Sequence, residues 1–192
     1  MNHEEMNQRT EAVLIGTFKA LMLKKPMNKI TVSELVEECG INRKTFYYHF
    51  EDIRDMQRKM LRQDIEALFS RADLITDHDL IINSVLDYIE QNKVILKNML
   101  SCIGRAELDL FLNSNVNKPI YSLVCETEQK QNLSVGDEYK RFLADFFTRA
   151  VSGVLIDWIE NRANRNKEQL KQYLFTTLST AIPAALNNEH SG

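Results

Sequence analysis

The sequence predicts an all-α protein, on three observations. Only six Gly and three Pro occur in 192 residues, too few for the closely spaced turns of an all-β chain. Ala, Leu, Glu, Lys, Gln and Arg dominate, the residue types that lose least on entering a helix. Apolar residues recur at i, i+3 and i+4 in segment after segment, the period of one buried helix face. The hydrophobic content of 44% supports a real core, and 27% charged residues supply a hydrated surface.

Residues 1–5 are polar and are expected to fray. From about Met6 to Lys25 a helix is indicated by Val13, Leu14, Phe18, Leu21 and Met22, and Pro26 ends it. Lys24, Lys25 and Lys29 cluster there, either near phosphates or simply as a solvated helix end.

The stretch from Ile30 to Phe50 reads as two short helices around a Gly turn. Thr31 with Glu34 has the form of a capping box. Val32, Leu35, Val36 and Cys39 then share one face, Gly40 suits the left-handed position past a helix end, and Asn42 can cap the next helix. At about 100° per residue, Phe46 and Phe50 stack on the inner face of that second helix. Lys44 and Tyr48 point away from it, Arg43 and Tyr47 lie on one shoulder, and Thr45 and His49 lie on the other. A short helix so furnished, set over another, has the geometry that enters a DNA major groove. An ordinary helical hairpin with a polar face is the plainer alternative.

Thr31-Val32-Ser33, Gly40 and Thr45-Phe46-Tyr47-Tyr48-His49-Phe50 resemble the signature of the TetR/AcrR family of bacterial transcription regulators. The resemblance covers about the first third of the chain. It implies a helix-turn-helix DNA-binding domain over residues 6–52 and a helical ligand-binding and dimerisation domain over 53–192. It also implies a cytoplasmic homodimer that binds double-stranded DNA and responds to a small-molecule effector, with no cofactor. The DNA-binding residues would be Thr31, Arg43, Lys44, Thr45, Tyr47, Tyr48 and His49. Arg43 and Lys44 have the reach to read guanine edges; the others would hold phosphates or touch thymine methyls.

After Glu51 and Asp52 a long helix is expected from Ile53 to about Ala72, with Met56, Met60, Leu61, Ile65, Leu68 and Phe69 as its buried stripe. In the family this helix joins the head to the core. Many members carry a Lys at the place of Ile53, where it reaches a phosphate, so the usual anchor is missing. Arg54 is next to it but faces about 100° away, which leaves open whether it takes over that role. The run Phe50-Glu51-Asp52-Ile53, and later the segment 151–158, resemble the subgroup typified by DhaS.

A polar break at Thr76 to Asp79, with Asp77 as cap, precedes a helix to about Asn92 whose apolar residues cover much of its circumference. Further helices are expected over Lys93–Ile103 and Glu107–Leu112. Asn113 to Asn117 reads as a loop, and Pro119 suits the first turn of a helix reaching about Lys130. Leu133 to Gly136 is the next loop. The helix after Asp137 carries more apolar surface than one neighbour can cover, with Phe142, Phe146, Phe147, Val154 and Trp158 along it and the small pair Ser152-Gly153 in the middle. A final helix runs from Lys167 to about Ala185, weakened by Pro183. Two such helices can pair with their symmetry mates as a four-helix interface.

Charge does not by itself point to DNA. Residues 1–60 hold ten Lys/Arg against nine acids, a balance of +1, and the rest of the chain brings the net to −3. DNA-binding domains are usually clearly basic, so placement within the helix-turn-helix carries the argument. The three cysteines share no metal-type spacing and are expected as buried free thiols. The four histidines are scattered; His78 between Asp77 and Asp79 could hold an ion, but a helix start explains the same residues. No metalloprotease helix, phosphate loop or dinucleotide-binding fingerprint occurs, so an enzyme has no anchor here. No apolar run approaches the length of a membrane span. Tyr88, Met99, Cys102, Tyr121 and Trp158 could line an effector pocket, or could be plain core. The alternative to a DNA-binding regulator is a protein of the same fold acting as a coactivator or adaptor through a protein partner.

Overall fold

Two polar side chains set the boundaries of the short helices. In the computed structural model, which describes residues 3–69, 78–162 and 164–190, Thr31 and Asn42 both sit in extended backbone and cap the helices that follow. The Thr31 hydroxyl accepts the Glu34 amide at 3.3 Å, and the Asn42 carbonyl oxygen accepts the Thr45 amide at 2.9 Å. Only half of the expected capping box forms, because the Glu34 carboxylate turns to Lys25 instead of returning to Thr31.

Nine α-helices occur among the described residues: α1 His3–Lys24, α2 Val32–Glu38, α3 Arg43–His49, α4 Ile53–Phe69, α5 His78–Gln91, α6 Lys93–Ile103, α7 Arg105–Lys130, α8 Asp137–Ile159 and α9 Lys167–His190. A 3-10 turn, Met27–Lys29, follows Pro26. The expected extension of α4 to Ala72, the cap at Asp77 and the His78 side chain lie outside the described residues. No described helix is long and apolar enough to cross a membrane.

The chain forms two compact units, one of Met1–Glu66 with Asn92–Ile103 and the other of Ala67–Gln91 with Gly104–Gly192. The first therefore holds α1, the 3-10 turn, α2, α3, most of α4 and also α6. Its core is Leu14, Phe18, Met22, Leu35, Phe46, Phe50, Met56, Met60 and Met99, all essentially without exposed surface. Asn98 of α6 fastens that helix to the end of α1. Its amide donates to the Met22 and Lys25 carbonyls at 2.8 and 2.7 Å, while its oxygen accepts the Met27 amide at 2.7 Å. A helix end leaves carbonyls without partners; here a side chain from a distant helix supplies them.

In the second unit α7 lies along α8, and Ile120, Val124, Val135, Leu143, Ala144, Phe147, Ile182 and Leu186 make one apolar cluster. Here the expected division of 105–130 is corrected. Residues 113–117 are helical and α7 is continuous, with Pro119 inside it. Proline deletes one backbone bond, but Val116, Ile120 and Val124 gain their apolar contacts only if the helix runs through. Local donors also turn back onto the helix: Asn113 donates to the Asp109 carbonyl at 2.7 Å and Ser114 to that of Phe111 at 2.9 Å.

Pro183 is likewise tolerated within α9, which continues past the expected end at Ala185. Its last turns are held by Asn187, which donates to Gln131, and by His190, whose Nδ1 accepts the Ser134 amide. Glu128 and Lys140 join α7 to α8 at 2.8 Å. The three thiols are free and half-buried, less enclosed than the sequence suggested.

Candidate nucleic-acid interface

Two buried rings orient α3. Phe46 and Phe50 lose nearly all their exposure and pack 5.6 Å apart, centre to centre. This fixes the helix about its own axis, so the residues opposite the two rings face outward. Gly40 makes the approach possible. Its φ of 65° is in the left-handed region, which costs a residue with a Cβ of the order of 1 kcal/mol. The turn closes with the Ile41 amide on the Val36 carbonyl at 3.0 Å.

Arg43 and Lys44 are exposed at the start of α3, and Arg43 also donates to the Ser33 hydroxyl in the first turn of α2. Tyr47 and Tyr48 are 56% and 66% exposed. Tyr47 meets the Phe46 ring edge-on at 5.3 Å. Thr45 is half-buried, and its hydroxyl donates to the Asn42 oxygen at 3.1 Å. Thr31 is exposed at the start of α2. Six of the seven residues singled out from the sequence thus lie exposed or partly exposed around the two short helices.

His49 is placed differently. Its side chain is only 6% exposed, with Nδ1 4.0 Å from the Glu11 carboxylate of α1. Glu11 also holds Lys59 of α4 at 2.9 Å and accepts from Gln63, while the Lys59 ammonium lies 5.2 Å above the Phe50 ring. Burial pushes the imidazole below its ordinary range; the Glu11 charge opposes that shift and the Lys59 charge adds to it. His49 serves as a fastener between α1, α3 and α4.

Two contributors went unread in the sequence. Asn7 of α1 donates to the Tyr48 phenol oxygen at 3.3 Å. Ser33 steadies Arg43. Neither has a local signal, since each acts across a gap in the chain on a residue of α3.

In the first turn of α4 the exposed Arg54 is the cation that could meet a phosphate. Asp52 accepts the Asp55 amide at 2.7 Å, and Asp55 accepts the Glu51 amide at 3.1 Å. With Ile53 beside them, these carboxylates occupy donors that could otherwise face an anion. Among the described residues no group of His, Cys, Asp or Glu could hold a metal ion.

Comparison with known proteins agrees with this geometry. A family profile described as "Bacterial regulatory proteins, tetR family" matches residues 18–59. A second, "Transcriptional regulator C-terminal region", matches residues 77–180. No curated protein matches the chain by sequence. Among solved structures the chain is similar to the dihydroxyacetone kinase operon activator DhaS, at 18% identity over 91% of this chain and 97% of that one, with a TM-score of 0.77. It is also similar to a TetR-family transcriptional regulator from Streptomyces coelicolor, at 14% identity over 100% of this chain and 87% of that one, with a TM-score of 0.61. At these identities the likeness is one of fold. The two profiles carry the assignment further, since one spans the helix-turn-helix and the other more than half of the chain: this protein belongs to the TetR family of DNA-binding transcriptional regulators.

Proposed function

We propose that the chain acts as a homodimer, places α3 of each copy in a major groove, and changes its hold on DNA when a small molecule binds the C-terminal region. The observation that carries the reading is the outward set Arg43, Lys44, Tyr47 and Tyr48 on a helix whose inner face is locked by Phe46 and Phe50. Arg43 and Lys44 read base edges and the Thr31, Tyr47 and Tyr48 hydroxyls hold phosphates, while Thr45, whose hydroxyl proton goes to Asn42, and His49 support them. Two heads bound to successive grooves on one side of the duplex would lie about 34–36 Å apart.

Pairing of two copies has support in the second unit. Phe142 and Phe146 are 58% and 57% exposed and stack in one row on α8, with rings 6.3 Å apart. The outward side of α9 carries Tyr173 and the small residues Thr176, Thr177, Thr180 and Ala184. Bulky side chains on one helix and small ones on the other make a face that a second copy can fill.

An effector is supported by two hydroxyls. Thr148 and Ser152, one turn apart on α8, are fully buried without a hydrogen-bond partner among the described residues. Such groups are costly to leave unmet, and a bound molecule with polar groups would satisfy them.

The test is a mobility-shift titration of the full chain against the DNA directly upstream of its gene. Arg43→Ala/Tyr47→Ala is expected to weaken binding by about 1–3 kcal/mol or more, as for loss of a base contact. Equal affinity for the variant and the wild type would sink the assignment. The acidic first turn of α4 and the nearly neutral head favour a second reading, an adaptor working through a protein partner. That reading predicts no salt-dependent binding to any duplex, whereas phosphate contacts make affinity fall steeply with salt.

A further inference from the structure

Carboxylates cap two amides in the first turn of α4 and leave Arg54 as the cation of that turn, so any further hold on the DNA backbone comes from elsewhere in the head. One turn of α1 meets the last turn of α3 at two consecutive residues. Asn7 and Glu11, four apart and so on one face of α1, touch Tyr48 and His49 respectively. The Tyr48 ring is in turn held edge-on against His49 at 5.1 Å. Tyr48 is among the most exposed large side chains of the molecule, yet its orientation is set at both its ring and its hydroxyl.

We propose that Asn7 is a positioning residue for DNA binding, holding the Tyr48 hydroxyl so that its proton is presented to a DNA phosphate. This rests on the reading of α3 as the DNA-facing helix. A phenol has one proton to give and lone pairs to receive. The Asn7 amide donates to the phenol oxygen, and among the described residues no acceptor takes the phenol proton. Phosphate oxygens accept and never donate, so the pairing is chemically matched. Accepting one hydrogen bond also polarises the hydroxyl into a better donor. The contact is uncharged on the protein side and independent of base identity, as a backbone contact should be.

The experiment measures fluorescence anisotropy of the full chain with two labelled duplexes, the DNA upstream of its gene and a short duplex of arbitrary sequence. Tyr48→Phe and Asn7→Ala are each expected to weaken binding to both duplexes, roughly three- to tenfold. The double variant should be no weaker than Tyr48→Phe alone, because both changes remove one device. Asn7→Asp should be worse than Asn7→Ala, since a carboxylate would take the phenol proton itself. Melting temperatures should stay at the wild-type value; Ala is the better helix former, so lost affinity would not reflect a weakened α1. Wild-type affinity in Asn7→Ala, or losses that add in the double variant, would overturn this inference alone. A wild-type protein that binds neither duplex would overturn the DNA-facing reading and this inference with it.

Discussion

At position 49 an imidazole stands where its neighbours in sequence carry exposed phenols, and its surroundings make it a pH-sensitive fastener. Burial, the largest influence, lowers its pKa from the ordinary 6.5; the nearby Glu11 opposes this and Lys59 reinforces it. A base whose folded pKa is depressed binds fewer protons folded than unfolded. Stability is therefore full above the unfolded value and is lost as pH falls from about 6.5 toward the lowered value. Urea unfolding at a series of pH values should show that loss, and His49→Gln should flatten it. An undiminished slope in the variant would mean that other groups titrate there. The sequence could place His49 on a shoulder of α3 but not inside the head, because what covers it is Glu11, a residue of another helix. Thr31, Gly40 and Asn42 were legible, since each acts on backbone within three or four residues of itself.

Among the elements, α6 shows most plainly that chain order and packing order differ. It follows α5 directly, yet it belongs with α1, and Asn98 supplies the hydrogen-bond partners that the end of α1 and the 3-10 turn lack. Asn98→Ala should cost about 2 kcal/mol, the scale of leaving partly buried backbone groups unmet. Asn98→Asp should cost more, because a carboxylate cannot donate to the Met22 and Lys25 carbonyls. Chemical denaturation measures the cost, and faster amide exchange at the end of α1 would locate it; unchanged exchange there would discount the role. The loop expected at 113–117 failed for the complementary reason. A Pro and a run of polar residues are local signals for a break, and packing of Ile120 and Val124 with Leu143 and Phe147 outweighed them.

For the whole molecule, the proposed pairing through the stacked Phe142 and Phe146 on α8 would tie assembly to DNA binding. Single exposed apolar residues are common on any protein, but a contiguous row of them marks a contact surface. Phe142→Glu/Phe146→Glu should yield a monomer in sedimentation equilibrium. It should also bind upstream DNA at least tenfold more weakly, because a second head tethered to the first rebinds at high effective concentration. A wild-type chain that is monomeric at micromolar concentration would refute pairing through this face. The sequence anticipated surplus apolar surface on this helix; that Phe142 and Phe146 are the exposed ones, while Phe147 is buried, follows from the phase of α8 against α7.

The sequence alone determined the all-α class, the capped helix-turn-helix and the Phe46–Phe50 inner face. These depend on propensity, helical period and contacts a few residues apart. Tertiary structure decided what each outward group of α3 has at its back. It turned His49 inward, set Asn7 on Tyr48, gave α6 to the unit that holds the head and kept α7 whole across Pro119. Each of those outcomes depends on residues distant along the chain or on the apolar area gained between helices, and no local pattern encodes either.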